Sequence, residues 1–332
     1  MKLKLYIGLA LMAAILLVPV AIYILHLPSS GTSESTISKT YDLTPHERIV
    51  IQNASEFTIP GTGSGCECVR AGSGSSSDPF VISDWKLSAS GGDGISVAAT
   101  TVHFIISHVV VNATGFYDSV VLRSVANGTI QDSSFSRGGI SVFSSQAISI
   151  INNTITDSKF GILLEASDDN TISGNRLDHI QQVGIFVRAS RNLIDRNRVT
   201  SGSYGGINID GMTGFGDNNR IVNNVVEGNP QYGVGLWRAR DNLVKGNVVS
   251  ENGGAGIMLI ASCTGNVLEQ NKVVNNGGDG ILVDEQSTDN KIIGNTVTGN
   301  GNGTTSFDLH DEGSDNIWLS NTFNTRRPDT IG

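Results

Sequence analysis

A short phrase, glycine followed by isoleucine or valine, recurs through the second part of this 332-residue chain. It occurs at Gly139-Ile140, Gly161-Ile162, Gly184-Ile185, Gly206-Ile207, Gly233-Val234, Gly256-Ile257 and Gly280-Ile281. The steps between successive glycines are 22, 23, 22, 27, 23 and 24 residues. A period of this length is typical of a solenoid, in which each repeat contacts only its neighbours. Equivalent positions then stack, so columns of side chains can be predicted from the sequence.

Each repeat has the pattern of short β-strands separated by bends. In the repeat from Gly161, Ile162 and Leu164 alternate with Leu163 and Glu165, as on the two faces of a strand. Pairs of asparagines five residues apart recur in register: Asn170/Asn175, Asn192/Asn197, Asn219/Asn224, Asn242/Asn247, Asn266/Asn271, Asn290/Asn295 and Asn316/Asn321. We expect these amides to form two hydrogen-bonded ladders at the bends. The glycine before each strand is expected to provide unusual backbone angles at a corner.

These features predict an all-β protein, a single-stranded parallel β-helix. Forty glycines and only seven prolines agree with a chain rich in strands and turns. About ten coils, at roughly 4.8 Å each, predict a solenoid about 50 Å long. The spacing alone does not determine its hand.

The N-terminal segment predicts a membrane anchor. Residues 5–27 are mostly apolar and contain no Asp, Glu, Lys or Arg, and Lys2 and Lys4 precede them. Residues 1–27 are therefore expected to form a transmembrane signal-anchor, with a cleaved signal peptide as the alternative. Either way, the main domain is expected outside the cytoplasm, at the cell surface or in the periplasm. The other predicted ranges are a flexible linker (28–47), a non-repeating cap (48–93), the repeats (94–323) and a polar tail (324–332).

Charge and cysteine content limit the partners. The net charge of −9 argues against nucleic-acid binding, which requires a basic surface. Residues 188–245 nevertheless carry eight Lys or Arg against five Asp or Glu, a local excess of +3. Cys66 and Cys68 are expected to be unpaired or locally bridged, and Cys263 lies apart.

Neither metal binding nor glycosylation is strongly indicated. The six histidines form no ligand motif, so no cofactor is expected, and the sequence supports neither calcium nor copper. Asp93 and Asp279, each within Gly-Gly-Asp-Gly, are expected to be turn residues rather than calcium ligands. Five Asn-X-Ser/Thr sites permit a glycoprotein: Asn53, Asn112, Asn127, Asn152 and Asn302.

A segment before the first coil carries further motifs. It contains Ile49–Thr58, a Gly-Ser-Gly stretch from Gly72 that leads through Asp-Pro-Phe to Trp85, and then Gly94-Ile95. With the repeats, these segments resemble the right-handed parallel β-helix proteins of the pectin-lyase-like superfamily, and among them the NosD-like group. The resemblance covers about residues 48–323 and implies a right-handed fold, an extracytoplasmic location, and sugar binding or cleavage. Many members of this group carry a copper-binding label, but this chain lacks a His/Met/Cys cluster for copper. No catalytic residue is carried over.

A candidate site follows from stacking the repeats. The fourth and second residues after each repeat glycine are expected to point outward. In the middle coils these positions hold Glu165, Phe186, Arg188, Asn208, Asp210 and Trp237. Three aromatics precede repeat glycines at the same edge: Phe160, Tyr204 and Tyr232. An insertion, Gly211–Asp217, follows Asp210 directly, and insertions in solenoids tend to lie on the binding face. Flat rings beside polar groups suit sugars, so the six aromatic and amide residues Phe160, Phe186, Tyr204, Asn208, Tyr232 and Trp237 are predicted ligand contacts.

The sequence favours a β-helix that recognises polysaccharide or another surface polymer without catalysis. One alternative is a lyase, epimerase or hydrolase on acidic sugars, with Asp210 as base, Arg188 as charge neutraliser and Glu165 as a further candidate. Two others are a NosD-type accessory protein for copper-enzyme assembly and a structural or adhesion rod. The three charged residues are also consistent with a purely structural charge ladder between coils.

Overall fold

The β-helix is the main feature of the computed structural model, which describes residues 42–57, 66–114, 117–212, 214–301 and 303–331. In these residues the regular structure is almost entirely β, arranged as three sheets of twelve strands each. The chain passes through sheet 1, sheet 2 and sheet 3 in turn, and each circuit makes one coil. The predicted all-β parallel solenoid is confirmed.

Most strands are only three to six residues long. Sheet 1 contains Ile49–Ile51, Ile95–Thr100, Val120–Val125, Ile140–Phe143, Ile162–Glu165, Val183–Arg188, Gly205–Asp210, Tyr232–Trp237, Ala255–Ile260, Ile281–Val283, Leu309–Asp311 and Arg326–Arg327. Sheet 2 contains Val69–Ala71, Phe80–Ser83, Phe104–Ser107, Gly128–Gln131, Ser149–Ile151, Thr171–Ser173, Leu193–Asp195, Arg220–Val222, Leu243–Lys245, Val267–Glu269, Lys291–Ile293 and Ile317–Leu319. Sheet 3 contains Thr44–His46, Trp85–Ala89, Val110–Ala113, Ser134–Ser136, Thr154–Thr156, Arg176–Asp178, Arg198–Thr200, Val225–Glu227, Val248–Ser250, Lys272–Val274, Thr296–Thr298 and Thr322–Phe323. One turn of 3-10 helix, Ala54–Glu56, is capped by the side chain of Asn53.

Strands pair in parallel with their equivalents in the next coil. Ile162 lies opposite Ile185, for example, and Leu164 opposite Val187. Among the described strands, the exception is Val69–Ala71, which runs antiparallel to its neighbour at the start of sheet 2. This constant register turns the sequence period into straight columns of side chains.

Aliphatic columns fill the interior. The column that follows the repeat glycines on sheet 1 is at most 1% exposed and comprises Ile140, Ile162, Ile185, Ile207, Val234, Ile257 and Ile281. Sheets 2 and 3 contribute similar columns, which include Ile172 and Leu177. Burial of each such side chain contributes roughly 1.5–3 kcal/mol, so stability is distributed along the coils rather than concentrated at one point.

Both predicted asparagine ladders are confirmed. In the first, Asn219 Oδ1 accepts from the backbone N–H of Asn192 at 2.9 Å and from its Nδ2 at 3.2 Å. In the second, Asn224 Oδ1 accepts from the corresponding groups of Asn197 at 2.9 and 3.0 Å. A third ladder, which the sequence analysis missed, ends on the carboxylate of Asp308. Its asparagines follow those of the second ladder by five residues: Asn229, Asn252, Asn276 and Asn300.

The repeat glycines serve a different purpose from the one predicted. They do not adopt positive φ angles; those occur at the residue before ladder asparagines, such as Arg191 (58°) and Arg196 (52°). At Gly184 a Cβ atom would overlap Cγ1 of Val199 and lie 2.8 Å from the carbonyl oxygen of Gly206. The glycines are therefore required because sheet 1 packs closely against sheet 3 and the next coil.

Strands also occur within the predicted linker and tail. Thr44–His46 pairs with Trp85–Ala89 in sheet 3, and Arg326–Arg327 pairs with Leu309–Asp311 in sheet 1. No helix in the described part of the chain is long and apolar enough to cross a membrane. The predicted anchor, residues 1–27, lies outside the described residues, as does Asn302 of the fifth Asn-X-Ser/Thr sequence.

The three cysteines are in two different states. Cys66 and Cys68 form a disulfide, which is the locally bridged alternative of the prediction. Cys263 is a buried free thiol, and burial raises its pKa to about 12. A thiol with such a pKa is protonated at neutral pH and packs as a small apolar side chain.

Candidate functional site

The stacked register brings the predicted charged residues onto one surface. Glu165 lies opposite Arg188 in adjacent strands of sheet 1, and Asp210 lies opposite Trp237 two strands further along. Phe186 lies opposite Asn208 in the same way. We call the outer side of sheet 1 in these four coils the middle face.

Arg188 joins the two acids of the middle face. Its Nη1 donates to Glu165 Oε1 at 3.2 Å, while Nη2 and Nε donate to Asp210 Oδ2 at 2.8 and 3.1 Å. The side chains of Arg188 and Glu165 are 29% and 44% exposed, whereas that of Asp210 is 1% exposed. Burial lowers the pKa of Arg188, but the hydrogen bond and charge of Asp210 outweigh it, so the pKa is raised overall. The guanidinium is thus a fixed cation.

Asp210 is held on both of its oxygens. Besides the contacts to Arg188, its Oδ1 accepts a hydrogen bond from the backbone N–H of Met212 at 2.9 Å. Met212 belongs to the inserted segment, so the insertion supplies the donor to the second carboxylate oxygen. This geometry favours the structural interpretation of Asp210, because a general base must be able to reach a proton of the substrate.

Half-exposed aromatic rings lie beside Arg188. Phe160 and Phe186 pack against each other with ring centroids 5.8 Å apart, and the guanidinium carbon of Arg188 is 5.4 Å from the Phe186 ring. Both rings are partly accessible to solvent. This part of the middle face therefore combines flat apolar surface with oriented polar groups.

The second aromatic group is more deeply placed. Tyr204 is partly exposed, whereas Tyr232 and Trp237 are only 2% and 9% exposed. Tyr232 packs edge-on against Tyr204 and Trp237, with centroid distances of 5.7 and 4.9 Å. The Tyr232 ring lies over Gly205 and the Trp237 ring over Gly235, where a Cβ atom would overlap each ring.

Burial divides the predicted ligand contacts into two layers. Phe160, Phe186 and Tyr204 form the accessible layer, while Asn208, Tyr232 and Trp237 lie beneath it. Asn208 Oδ1 and the Tyr232 hydroxyl are buried without a hydrogen-bond partner among the described residues, and burial raises the Tyr232 pKa well above its usual value. Repeat spacing predicted all six on the surface. Glycines within a strand, however, leave room for neighbouring rings to lie flat on the sheet and become buried.

A further cluster on sheet 1 escaped the sequence analysis. His310 lies opposite Leu282, in the column that contains Phe186 and Asn208 in earlier coils. Its Nδ1 is 3.2 Å from an oxygen of Asp279 and its Nε2 is 3.5 Å from an oxygen of Glu312. The repeat pattern did not indicate this cluster because Asp308, rather than a glycine, occupies the repeat position in this coil.

Two family models match the chain. One, described as "Right handed beta helix region", matches residues 161–323. The other, described as "Periplasmic copper-binding protein (NosD)", matches residues 71–237 and thus includes the middle face. The first description agrees with the right-handed fold implied by the resemblance. No curated protein matches the chain by sequence.

Several solved structures share the fold. The A-module of Azotobacter vinelandii mannuronan C-5 epimerase AlgE6 is 13% identical, with a TM-score of 0.57 over 73% of this chain and 84% of that one. A double mutant of the periplasmic alginate epimerase AlgG is 15% identical, with a TM-score of 0.50 over 74% of this chain and 78% of that one. The Dettilon tailspike protein is 15% identical, with a TM-score of 0.50 over 83% of this chain and 63% of that one. At these identities the similarity concerns the fold alone.

Proposed function

The chain belongs to the NosD family, and on that premise we propose that its β-helix is an extracytoplasmic module that binds polysaccharide through the middle face. Binding rather than turnover is proposed because Asp210, the candidate base, is buried and engaged by Arg188 and the insertion. Under this proposal Glu165 and Arg188 orient the ligand and do not act chemically.

One observation carries the proposal: the Phe160–Phe186 pair lies beside a guanidinium that two carboxylates hold in place. Sugar rings present apolar faces that stack on aromatic rings, and hydroxyl groups at their edges that need oriented donors and acceptors. Arg188 and Glu165 supply such groups next to the rings. Because both are fixed by mutual contacts, little side-chain freedom is lost when a ligand binds.

The fold comparisons support a glycan as the ligand. The two epimerases named above are a mannuronan epimerase and an alginate epimerase, and both substrates are polysaccharides. Fold similarity alone does not transfer activity. We therefore take from these proteins only that this fold occurs in enzymes that act on polysaccharides.

An extracytoplasmic location has independent support from cysteine chemistry. Disulfides persist mainly in oxidising compartments, and Cys66 and Cys68 are joined. The family description is also periplasmic. Residues 1–27 are the predicted membrane anchor. We therefore propose that the β-helix is held at the outer side of the membrane.

The residues present do not fit the copper of the family description. In the described ranges, no group of three or more His, Cys, Asp or Glu side chains is arranged to hold a metal ion. The two neighbouring cysteines are joined in a disulfide, and the remaining one is buried with a raised pKa, so neither offers a thiolate ligand. We therefore derive no copper chemistry for this chain.

A glycan array probed with the full chain tests the proposal. We expect retention on one class of polysaccharide, and a roughly tenfold weaker affinity for Phe186→Ala because a stacking ring is lost. Phe323→Ala is the matched control, since Phe323 is also partly buried beside an arginine, with Arg326 5.2 Å from its ring, but lies on sheet 3. Absence of binding to every glycan on the array would refute the function.

A further inference from the structure

The local positive charge beside the middle face has an uneven distribution. Five of the eight Lys and Arg residues between 188 and 245 form ion pairs: Arg188, Arg191, Arg196, Arg198 and Lys245. The other three, Arg220, Arg238 and Arg240, form no ion pair with any residue that the structure describes. All three of these unpaired arginines are exposed.

Two of these three arginines line one cavity. It has a volume of about 310 Å³ and lies between the inserted segment and the next two coils. Gly211, Phe215 and Asp217 line it on the side of the insertion, and Arg238, Arg240 and Ser262 on the other. We call this cavity the notch. Gly211 and Arg238 directly follow Asp210 and Trp237, so the notch adjoins the middle face.

The inserted segment packs against the next coil at the edge of the notch. The N–H of Gly211 donates to the carbonyl of Trp237 at 2.7 Å, and the N–H of Gly214 donates to Gly211 at 3.1 Å. A Cβ atom at Gly211 would overlap the carbonyl oxygen of Arg238. The loop therefore lies tightly against the next coil at its base and leaves the space above it open.

The acid in the notch does not neutralise both arginines. Asp217 Oδ1 accepts from the backbone N–H of Arg240 at 3.0 Å, so its hydrogen bond is with the main chain, although the Arg240 guanidinium also attracts the carboxylate through its charge. Burial raises the pKa of Asp217, which reduces its charge further at acidic pH. The ten side-chain N–H donors of the two arginines, five on each, have no carboxylate partner within the notch.

We propose that the notch binds an oxyanion substituent, a carboxylate or a sulfate ester, on the glycan that lies across the middle face. Guanidinium groups match the two oxygens of such anions in a bidentate geometry, and the notch is large enough for one substituent and its water. This inference rests on the proposed function and extends it. It identifies the ligand as an acidic glycan and places the binding site for its charged substituent at the corner that follows sheet 1.

The test measures affinity of the full chain for four soluble polymers: polygalacturonate, its carboxyl-reduced form, dextran sulfate and dextran. We expect the acidic member of at least one pair to bind at least about tenfold more tightly than its neutral counterpart. The double variant Arg238→Gln/Arg240→Gln should lose that preference while keeping its affinity for neutral polymer. Arg220→Gln, which removes an exposed guanidinium on sheet 2, is the matched control and should retain the preference.

The outcomes separate the two proposals. Equal affinity for acidic and neutral polymers, or a preference that survives in the double variant, overturns the proposed role of the notch. Either result leaves the proposed glycan binding intact. The proposed role of the notch is also overturned if Arg220→Gln loses the preference as fully as the double variant does. The preference would then depend on the total positive charge and not on the position of the arginines. No binding to any glycan overturns both. The preferred pair identifies whether the substituent is a carboxylate or a sulfate.

Discussion

Asp210 Oδ2 accepts hydrogen bonds from both Nη2 and Nε of Arg188, which lies in the preceding coil, at 2.8 and 3.1 Å. The contact links two coils through side chains on the outer surface, where the main-chain ladder already joins them. Because Asp210 is 1% exposed, Arg188 and the Met212 N–H provide the hydrogen bonds to its carboxylate that water would otherwise provide.

Replacing Asp210 by Asn is therefore expected to destabilise the protein. The amide would present a donor or a weaker acceptor to Arg188, at a cost of about 1–3 kcal/mol in the free energy of unfolding. Glu165→Gln, at the exposed side of the same arginine, should cost less than about 1 kcal/mol. Urea unfolding of both variants measures the difference, and equal effects would show that burial of Asp210 is energetically unimportant.

The asparagine ladders are expected to be a major source of local stability. Asn224→Ala leaves buried N–H and C=O groups of Asn197 and Ile194 without partners, and should cost about 3 kcal/mol or more. Asn321→Ala, at the partly exposed end of the same ladder, should cost less because water can replace the lost bonds. Native-state hydrogen exchange of the neighbouring amides would locate the effect. A smaller loss at Asn224 than at Asn321 would contradict this account.

The glycine column is expected to be intolerant of any side chain. Gly184→Ala would overpack the junction with Val199 and should cost about 1–3 kcal/mol. Val199→Ala alone loses buried methyl groups, but the two changes together should cost less than the sum of their separate effects. Thermal unfolding of the three variants completes this double-mutant cycle. Additive losses would mean that the close approach of the Gly206 carbonyl oxygen, and not of Val199, excludes a side chain at this position.

His310 predicts a pH dependence of stability. Its pKa is raised, first by Asp279 and then by Glu312, against the opposing effects of burial and Arg327. The stabilisation is fully present below the unfolded-state pKa of about 6.5 and is lost as pH rises through the higher folded-state value.

His310→Gln removes this dependence and tests its origin. The difference in unfolding free energy between wild type and variant should be largest below about pH 6.5 and should shrink toward alkaline pH. Denaturant unfolding at a series of pH values gives this difference directly. A difference that grows as the pH rises would show that the histidine is buried in its neutral form.

The sequence by itself determined the fold, the register and the neighbours of each column. A constant period and alternating strands place Glu165, Arg188 and Asp210 in a row, and the paired asparagines mark the bends, because a solenoid converts sequence spacing into spatial contact. His310 was missed because Asp308 replaces the glycine in its coil, and the third asparagine ladder was missed although its coils keep the repeat.

Only the tertiary structure decided which of these positions solvent reaches. Tyr232 and Trp237 point outward by register, yet they are buried because Gly205 and Gly235 leave room for their rings on the sheet. Asp210 is likewise buried, and its Oδ1 accepts from the N–H of Met212 in an insertion whose course no repeat specifies. Exposure depends on how irregular side chains and loops fill the outer surface, and this is not periodic. The repeat therefore determines which side chains lie side by side, while the irregular packing determines which of them are exposed.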